Sequence, residues 1–152
     1  MSKQLLIVYH SQSGTTARLA AAVRRGALRE PDIKPVFRRA WDAGIAELLS
    51  CDALILGFAE NSGSVAGAMK DFLDRCYYPV QPHSLHKPFA LFVSAGNDGR
   101  GAVAQVQRIL RGFPLREVAE PVICRGLPDS TALQNCEELG HTLAAGLAFG
   151  IF

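Results

Sequence analysis

The sequence predicts an α/β fold built on a doubly wound parallel β-sheet. Short, continuous apolar runs alternate with amphipathic helical patterns along the whole chain, and such runs are typical of parallel strands buried on both faces. The 152 residues, of which 49% are hydrophobic and 20% charged, suit a single domain with one sizeable core. We therefore expect one domain over residues 1–152, with right-handed crossovers between the strands.

The first half of the chain predicts three strands, each followed by a helix. The runs QLLIVY (residues 4–9) and ALILGF (residues 53–58) are typical of central strands. Residues 33–38 are more polar and contain Pro35, which a strand at the edge of a sheet tolerates. Apolar residues at helical spacing predict the three helices, at residues 16–28, 44–49 and 65–76.

The second half of the chain predicts two more strands and two more helices. The pattern indicates a strand at residues 89–94, a helix marked by apolar residues from 103 to 113, and a strand within residues 115–124. Pro121 blurs the limits of that fifth strand. Asp129 or Ser130 is expected to cap a long final helix.

Charge and composition exclude several classes of protein. Sixteen Lys and Arg against fourteen Asp and Glu give a net charge of +2, with no long basic run for nucleic acid. No stretch approaches the roughly 20 apolar residues of a membrane span. We expect no secretory signal, because no small-residue cleavage site follows the first strand-like run. No cysteine pair has C-x-x-C spacing, so free thiols are expected at Cys51, Cys76, Cys124 and Cys136. We expect a cytoplasmic protein that binds neither nucleic acid nor membrane.

The loop after the first strand is the best candidate for a ligand site, because doubly wound sheets bind ligands at the carboxyl ends of their strands. Residues 10–16, HSQSGTT, offer four hydroxyl groups, one glycine and the free N–H groups of a helix start. This donor set suits a phosphate dianion. Both G-x-x-x-x-G-K-[ST] and G-x-G-x-x-G are absent. Ordinary helix capping is the alternative interpretation of these hydroxyl residues.

Three segments carry a resemblance to a known family: LIVYHSQSGTTARLA, ALILGFAENSGSVAGAMKDFLDR and FALFVSAGNDGRGAVAQV. They resemble flavodoxins and the FMN-dependent NAD(P)H:quinone reductases typified by the tryptophan-repressor-binding protein. The resemblance implies a five-stranded, flavodoxin-like sheet of order 2-1-3-4-5 and an FMN cofactor. It implies that the FMN phosphate is held by Ser11, Gln12, Ser13, Gly14, Thr15 and Thr16. It also implies that the isoalloxazine ring is flanked by Glu60, Asn61, Ser62 and Gly63 and by Ser94, Ala95, Gly96, Asn97, Gly99 and Arg100.

The sequence departs from that family where an aromatic side chain usually stacks on the flavin. Residues 59–64 and 95–101 contain no aromatic residue. Two lost stacking faces weaken binding by about 1–3 kcal/mol, or roughly five- to 150-fold. Several hydrogen bonds to the phosphate outweigh this loss at ~1.5–3 kcal/mol each. We therefore expect weaker FMN binding and a ring face open to a nicotinamide or a quinone.

Other candidate residues are less specific. Arg100 is the only cation in the three loops and either approaches the N1/O2 edge of the flavin or is a solvated helix-start residue. Trp41 is either an interface anchor near the phosphate end or a local packing residue. Tyr77 and Tyr78 are expected at the opposite edge of the sheet. The sequence defines no catalytic set and no metal site, since nearby cysteine or carboxylate ligands are lacking at His83 and His86, and His141 is expected to be structural.

Three functions remain open at this point. The first is an FMN-dependent oxidoreductase that moves hydride or electrons from NAD(P)H to a quinone or another small acceptor. The second is a flavodoxin-type electron carrier that docks to protein partners, which the positive net charge disfavours. The third is a non-redox module that has kept the fold and lost tight flavin binding. A monomer or a homodimer is expected from the short chain.

Overall fold

The computed structural model describes residues 2–152, in which helices pack on both faces of a central β-sheet. The strands are β1 (Lys3–Tyr9), β2 (Ile33–Arg39), β3 (Ala53–Asn61), β4 (Ser64–Val65), β5 (Pro88–Ala95), β6 (Arg116–Glu117) and β7 (Val122–Arg125). The helices are α1 (Thr15–Ala27), α2 (Ile45–Ser50), α3 (Gly67–Val80), α4 (Arg100–Arg111) and α5 (Ser130–Ala148). Short 3-10 turns follow β2 (Ala40–Asp42) and α3 (Gln81–His83).

The main strands form a parallel sheet of order β2-β1-β3-β5, and both β6 and β7 pair with β5 in parallel. The doubly wound α/β prediction is thus confirmed, and Pro35 lies on the edge strand as expected.

The predicted number of strands, five, is wrong because the fifth strand is divided and β3 gains a two-residue antiparallel partner, β4. Phe89 and Phe92 of β5 pair with Glu117 of β6 and Val122 of β7, so the segment between β6 and β7 is two residues longer than the stretch of β5 beside it. The extra residues cannot stay in the ladder, and Pro121 in this segment has no N–H to donate.

The core lies in two layers, one on each face of the sheet. Side chains alternate along a strand, so Leu5 and Ile7 pack with α1 and α5, whereas Leu6 and Val8 pack with α3 and α4. All four are fully buried. This two-sided burial explains why the central strands are continuous apolar runs in the sequence.

Helices α1 and α5 approach each other so closely that two glycines are required at their crossing. A Cβ built at Gly26 lies 1.8 Å from the Glu137 carbonyl oxygen, and one at Gly140 lies 1.9 Å from that of Val23. Both obstacles are backbone atoms, which no rotamer change can move. The crossing fixes α1, whose amino end forms the loop described below.

The four cysteines are free and buried, as the sequence predicts. Burial raises the pKa of the Cys51 and Cys76 thiols to about 11 and that of the Cys136 thiol to about 12, and it raises the pKa of Cys124 as well. The thiols are therefore protonated at neutral pH and behave as small apolar groups.

Helix α3 differs most from its prediction. The expected helix at 65–76 begins later, because Val65 pairs with Glu60 in the β3–β4 ladder, and it continues to Val80. Tyr77 and Tyr78 thus lie within α3 instead of following it. The Tyr77 ring packs on Phe113 beyond the end of α4, which places it at the amino edge of the sheet as expected. Across residues 2–152, no helix combines the length and the apolar character needed to span a bilayer.

Candidate functional site

The carboxyl ends of β1, β3 and β5 meet at one edge of the sheet, where three connections surround two clefts. The hydroxyl cleft, of about 180 Å³, is lined by His10, Ser11, Gln12, Ser13, Thr15, Thr16, Ala59, Asn61 and Ser94. The outer cleft, of about 670 Å³, is lined by Glu60, Gly63, Gly96, Asn97, Asp98, Gly101 and Arg125. Ala59 and Asn61 of β3 line the hydroxyl cleft, and Glu60 between them lines the outer cleft. The two clefts are therefore neighbours at the end of β3.

Two buried hydroxyl groups of the hydroxyl cleft join the start of α1 to the end of β5. The Thr16 Oγ1 and Ser94 Oγ atoms are 2.7 Å apart, and either hydroxyl can donate. Thr16 is 2% exposed and Ser94 is 7% exposed, which makes them the buried polar side chains among residues 2–152. Because each hydroxyl has a second lone pair, the pair can still accept or donate toward a ligand above it.

The start of α1 presents free backbone donors to the hydroxyl cleft. Its N-cap, Gly14, has φ +107° and provides no side-chain cap. The Ser11 Oγ accepts a hydrogen bond from the Gly14 N–H at 3.0 Å and so holds the loop closed. The N–H groups of Thr15 and Thr16 have no acceptor within the helix, as in any first turn. Together with the helix dipole, they make this cleft suited to an anion.

The segment after β3 is a tight hairpin and not the open loop that residues 59–64 suggested. Asn61 pairs with Ser64, and the two residues between them have left-handed backbones, with φ 52° at Ser62 and φ 76° at Gly63. A two-residue turn of this kind matches the twist of an antiparallel pair. The hairpin extends β3 to Asn61, whose side chain reaches the hydroxyl cleft.

Glu60 and Gly101 hold this hairpin against the start of α4. The Glu60 Oε2 accepts a hydrogen bond from the Ala102 N–H at 3.1 Å, which supplies a cap that α4 lacks at Gly99. A Cβ at Gly101 would lie 2.4 Å from the Gly63 carbonyl oxygen. The expected place of Glu60 beside the flavin ring therefore competes with this structural role.

Replacing Glu60 by Ala should lower the free energy of unfolding by about 1 kcal/mol, the usual loss of a helix cap. Glu60→Gln keeps an acceptor oxygen and should lose clearly less. Urea unfolding at constant m-value measures both changes. Equal stability of Glu60→Ala and the wild type would show that the bond to Ala102 contributes nothing.

The loop between β5 and α4 caps the start of α4 with its own residues. The Asp98 Oδ1 accepts a hydrogen bond from the Arg100 N–H at 3.1 Å, and Gly99, with φ 71°, packs against Ile123. Gly96 and Asn97 line the outer cleft, as expected of a ring-contacting loop. By contrast, five predicted residues line neither cleft: Gly14, Ser62, Ala95, Gly99 and Arg100.

Arg125 is the residue that sequence analysis missed. It ends β7 opposite Ala95 and lines the outer cleft, whereas Arg100 lines a neighbouring cleft on the α5 side. The sequence signal was available, since Arg125 and Gly126 end the fifth strand at the same edge as the other loops. Arg125 was missed because the expected fifth strand was placed only within residues 115–124.

Aromatic side chains stay outside the two clefts. In the part of the chain that is described, no Phe, Tyr or Trp lines either one. The Trp41 ring lies edge-on to the His10 ring at a centroid distance of 6.2 Å, and 60% of its surface is exposed. The linings of the two clefts thus contain no aromatic ring within residues 2–152, and the open flavin face stays a prediction.

The remaining histidines lie apart from the clefts. The Nε2 atom of His141 is 3.4 Å from a Glu30 carboxylate oxygen, so it joins α5 to the end of α1. No group of three or more potential ligands (His, Cys, Asp, Glu) comes together to hold a metal within residues 2–152, and His83 and His86 have no third partner there.

The fold and the donor set fit FMN. The hydroxyl cleft offers hydroxyl and backbone N–H donors and no carboxylate, which suits a phosphate dianion. The outer cleft along the same edge is large enough to take a flat ring system. Glycines at 63 and 96, where an added Cβ would meet nothing within 4 Å, leave room beside the backbone.

Solved structures show the same fold. A flavodoxin from the domain Archaea matches 95% of this chain and 99% of its own, with 22% identity and a TM-score of 0.82. A flavodoxin, WrbA-like protein from Agrobacterium tumefaciens matches 97% of this chain and 99% of its own, with 20% identity and a TM-score of 0.79. The protein therefore has the flavodoxin-like fold.

Sequence comparison identifies the family. Residues 10–123, well over half of the chain, match the model of the NADPH-dependent FMN reductase family, and the chain belongs to it. An NAD(P)H dehydrogenase (quinone) from Syntrophus aciditrophicus (strain SB) is 24% identical over 173 residues, covering 95% of this chain and 85% of the relative. One from Paracoccus denitrificans (strain Pd 1222) is 28% identical over 123 residues, covering 68% and 59%. Family and fold together indicate FMN as the cofactor.

Proposed function

We propose that the protein is an FMN-dependent oxidoreductase that moves electrons from NAD(P)H to a quinone or another small acceptor. The observation that carries the proposal is the hydroxyl cleft at the uncapped start of α1, on the edge where β1, β3 and β5 end. The proposal is supported by the family and by relatives named as NAD(P)H dehydrogenase (quinone).

The residues of the hydroxyl cleft bind the FMN phosphate in this proposal. The N–H groups of Thr15 and Thr16 and the hydroxyls of Ser11 and Ser13 donate to the phosphate oxygens. The Thr16–Ser94 pair fixes the floor of the cleft at 2.7 Å between the two oxygens. Gln12 and Asn61 add side-chain amides at the rim.

The outer cleft then holds and exposes the ring. Gly63, Gly96 and Asn97 place backbone and amide groups along it, and Arg125 supplies a positive charge at its edge. These residues would hold the ring, and FMN would supply the transfer of hydride and electrons between NAD(P)H and a quinone. Without an aromatic lid in the described part of the cleft, a second planar substrate can reach the ring face.

An electron carrier is the second candidate, and the charge of the chain argues against it. Carriers that dock to basic partners are acidic, whereas this chain has a net charge of +2. We place the oxidoreductase in the cytoplasm, as a monomer or homodimer.

A purified and FMN-reconstituted sample tests the proposal. We expect a yellow protein that releases FMN on denaturation and that oxidises NADH or NADPH only when a quinone is added. Reduction by a partner reductase alone would favour the carrier. A colourless protein that fails to take up FMN at tens of micromolar would overturn both functions.

A further inference from the structure

A third cleft adjoins the outer cleft and has a different chemistry. We call it the arginine cleft; it has a volume of about 410 Å³ and is lined by Asp98, Arg100, Ile123, Cys124, Arg125, Asp129, Thr131, Ala132 and Asn135. It lies between the start of α4, the end of β7 and the start of α5. Asp98 and Arg125 line the outer cleft too, so the two clefts adjoin at these residues.

The two guanidinium groups of this cleft are free to bind an anion. The ion pairs of residues 2–152 join other side chains, and neither Arg100 nor Arg125 takes part in one. Both residues are exposed. A guanidinium gains most from a bidentate partner such as a carboxylate or a phosphate.

The carboxylates of the cleft are held by backbone donors. The Asp98 Oδ1 accepts from the Arg100 N–H at 3.1 Å, and the Asp129 Oδ1 accepts from the Ala132 N–H at 2.8 Å. Each caps a helix start and is thereby fixed in place. Their remaining lone pairs, together with the Thr131 hydroxyl and the Asn135 amide, suit the hydroxyl groups of a ribose.

We propose that the arginine cleft binds the diphosphate and an adjoining ribose of the nicotinamide dinucleotide, with Arg100 and Arg125 on the diphosphate. This inference rests on the proposed oxidoreductase function and names where its electron donor binds. The position of Arg125 between the two clefts lets the nicotinamide end enter the outer cleft while the diphosphate stays on the α5 side. Because Asp98 and Asp129 balance the two guanidiniums, recognition is by paired groups, with the diphosphate on the arginines and the ribose hydroxyls on the carboxylates.

ADP-ribose, which has the diphosphate and both riboses but no nicotinamide, tests this site without any redox step. Calorimetric titration of the FMN-loaded protein should show ADP-ribose binding that weakens about tenfold or more in Arg100→Ala and in Arg125→Ala. Arg125→Lys should retain part of the affinity, since it keeps the charge without the fork. Arg116→Ala is the matched control, because Arg116 is exposed and pairs at the amino end of β5, on the opposite edge.

The kinetic readout separates binding from folding. Arg100→Ala should raise KM for the dinucleotide while kcat and bound FMN stay within about twofold of the wild type. Arg125→Ala should raise KM as well and should also weaken FMN binding, because Arg125 lines the outer cleft too. Unchanged ADP-ribose affinity and KM in both variants, in an enzyme that still oxidises NAD(P)H, would overturn the inference and leave the proposed function standing. ADP-ribose binding that depends on both arginines, in an FMN-loaded protein that oxidises neither dinucleotide, would support the cleft and overturn the proposed function.

Discussion

Ser13→Asp should bind FMN about a thousandfold more weakly than the wild type. Ser13 lines the hydroxyl cleft just before the N-cap of α1, so a carboxylate there would face the phosphate. Two like charges about 4 Å apart repel by about 4 kcal/mol at an effective dielectric constant near 20, and each 1.4 kcal/mol is tenfold in affinity. Titration followed by flavin absorbance or by the fluorescence of Trp41, the single tryptophan, measures the change.

Two further variants identify the cause of that loss. Ser84→Asp makes the same substitution at an exposed position shortly before β5, at the amino edge of the sheet, and should leave FMN affinity unchanged. Ser13→Ala removes one hydroxyl and should weaken binding about tenfold or less. A carboxylate near the start of α1 interacts favourably with the helix dipole, so the free energy of unfolding of Ser13→Asp should be at least that of the wild type. FMN affinity of Ser13→Asp within threefold of the wild type would place the phosphate elsewhere.

Gly140→Ala should lower the free energy of unfolding by about 3 kcal/mol, although glycine-to-alanine changes inside helices ordinarily stabilise by roughly 0.5–1 kcal/mol. The reversal follows from the crossing of α1 and α5, where the new methyl group would lie 1.9 Å from the Val23 carbonyl oxygen. The helices would have to separate, which loosens the layer containing Leu19 and Leu143. For a chain of this size, the melting temperature should fall by about 6–12 °C.

Gly67→Ala is the control for this prediction. Gly67 begins α3, and a Cβ built there meets nothing within 4 Å. This variant should be as stable as the wild type or slightly more stable. If Gly140→Ala melted at or above the wild-type temperature, the close approach of the two helices would be wrong.

The order of the elements could be predicted from the sequence because the main layers follow simple periodicities. Central strands such as residues 4–9 are buried on both faces and therefore read as apolar runs, and α1, α4 and α5 show clear apolar spacing. The division of the fifth strand could not be predicted, because it depends on a register difference against β5 that only the paired strands reveal. The late start of α3 has a similar cause, since Val65 joins the β3–β4 ladder.

The candidate site was predictable where one loop contains all of its parts. Residues 10–16 carry hydroxyls, a glycine and a helix start in one segment, so their chemistry is visible without a structure. The hydrogen bond of Glu60 with Ala102 could not be predicted, because it joins residues 42 positions apart. Arg125 was missed because its strand had no clear end in the sequence.

Comparing FMN with riboflavin, which lacks the phosphate, measures most directly how the wild-type protein holds its flavin. With several donors on the phosphate at ~1.5–3 kcal/mol each, riboflavin should bind at least about 100-fold more weakly than FMN. This difference in affinity between FMN and riboflavin should disappear in Ser13→Asp. Equal affinities of the wild type for FMN and riboflavin would contradict an anchoring role for the start of α1.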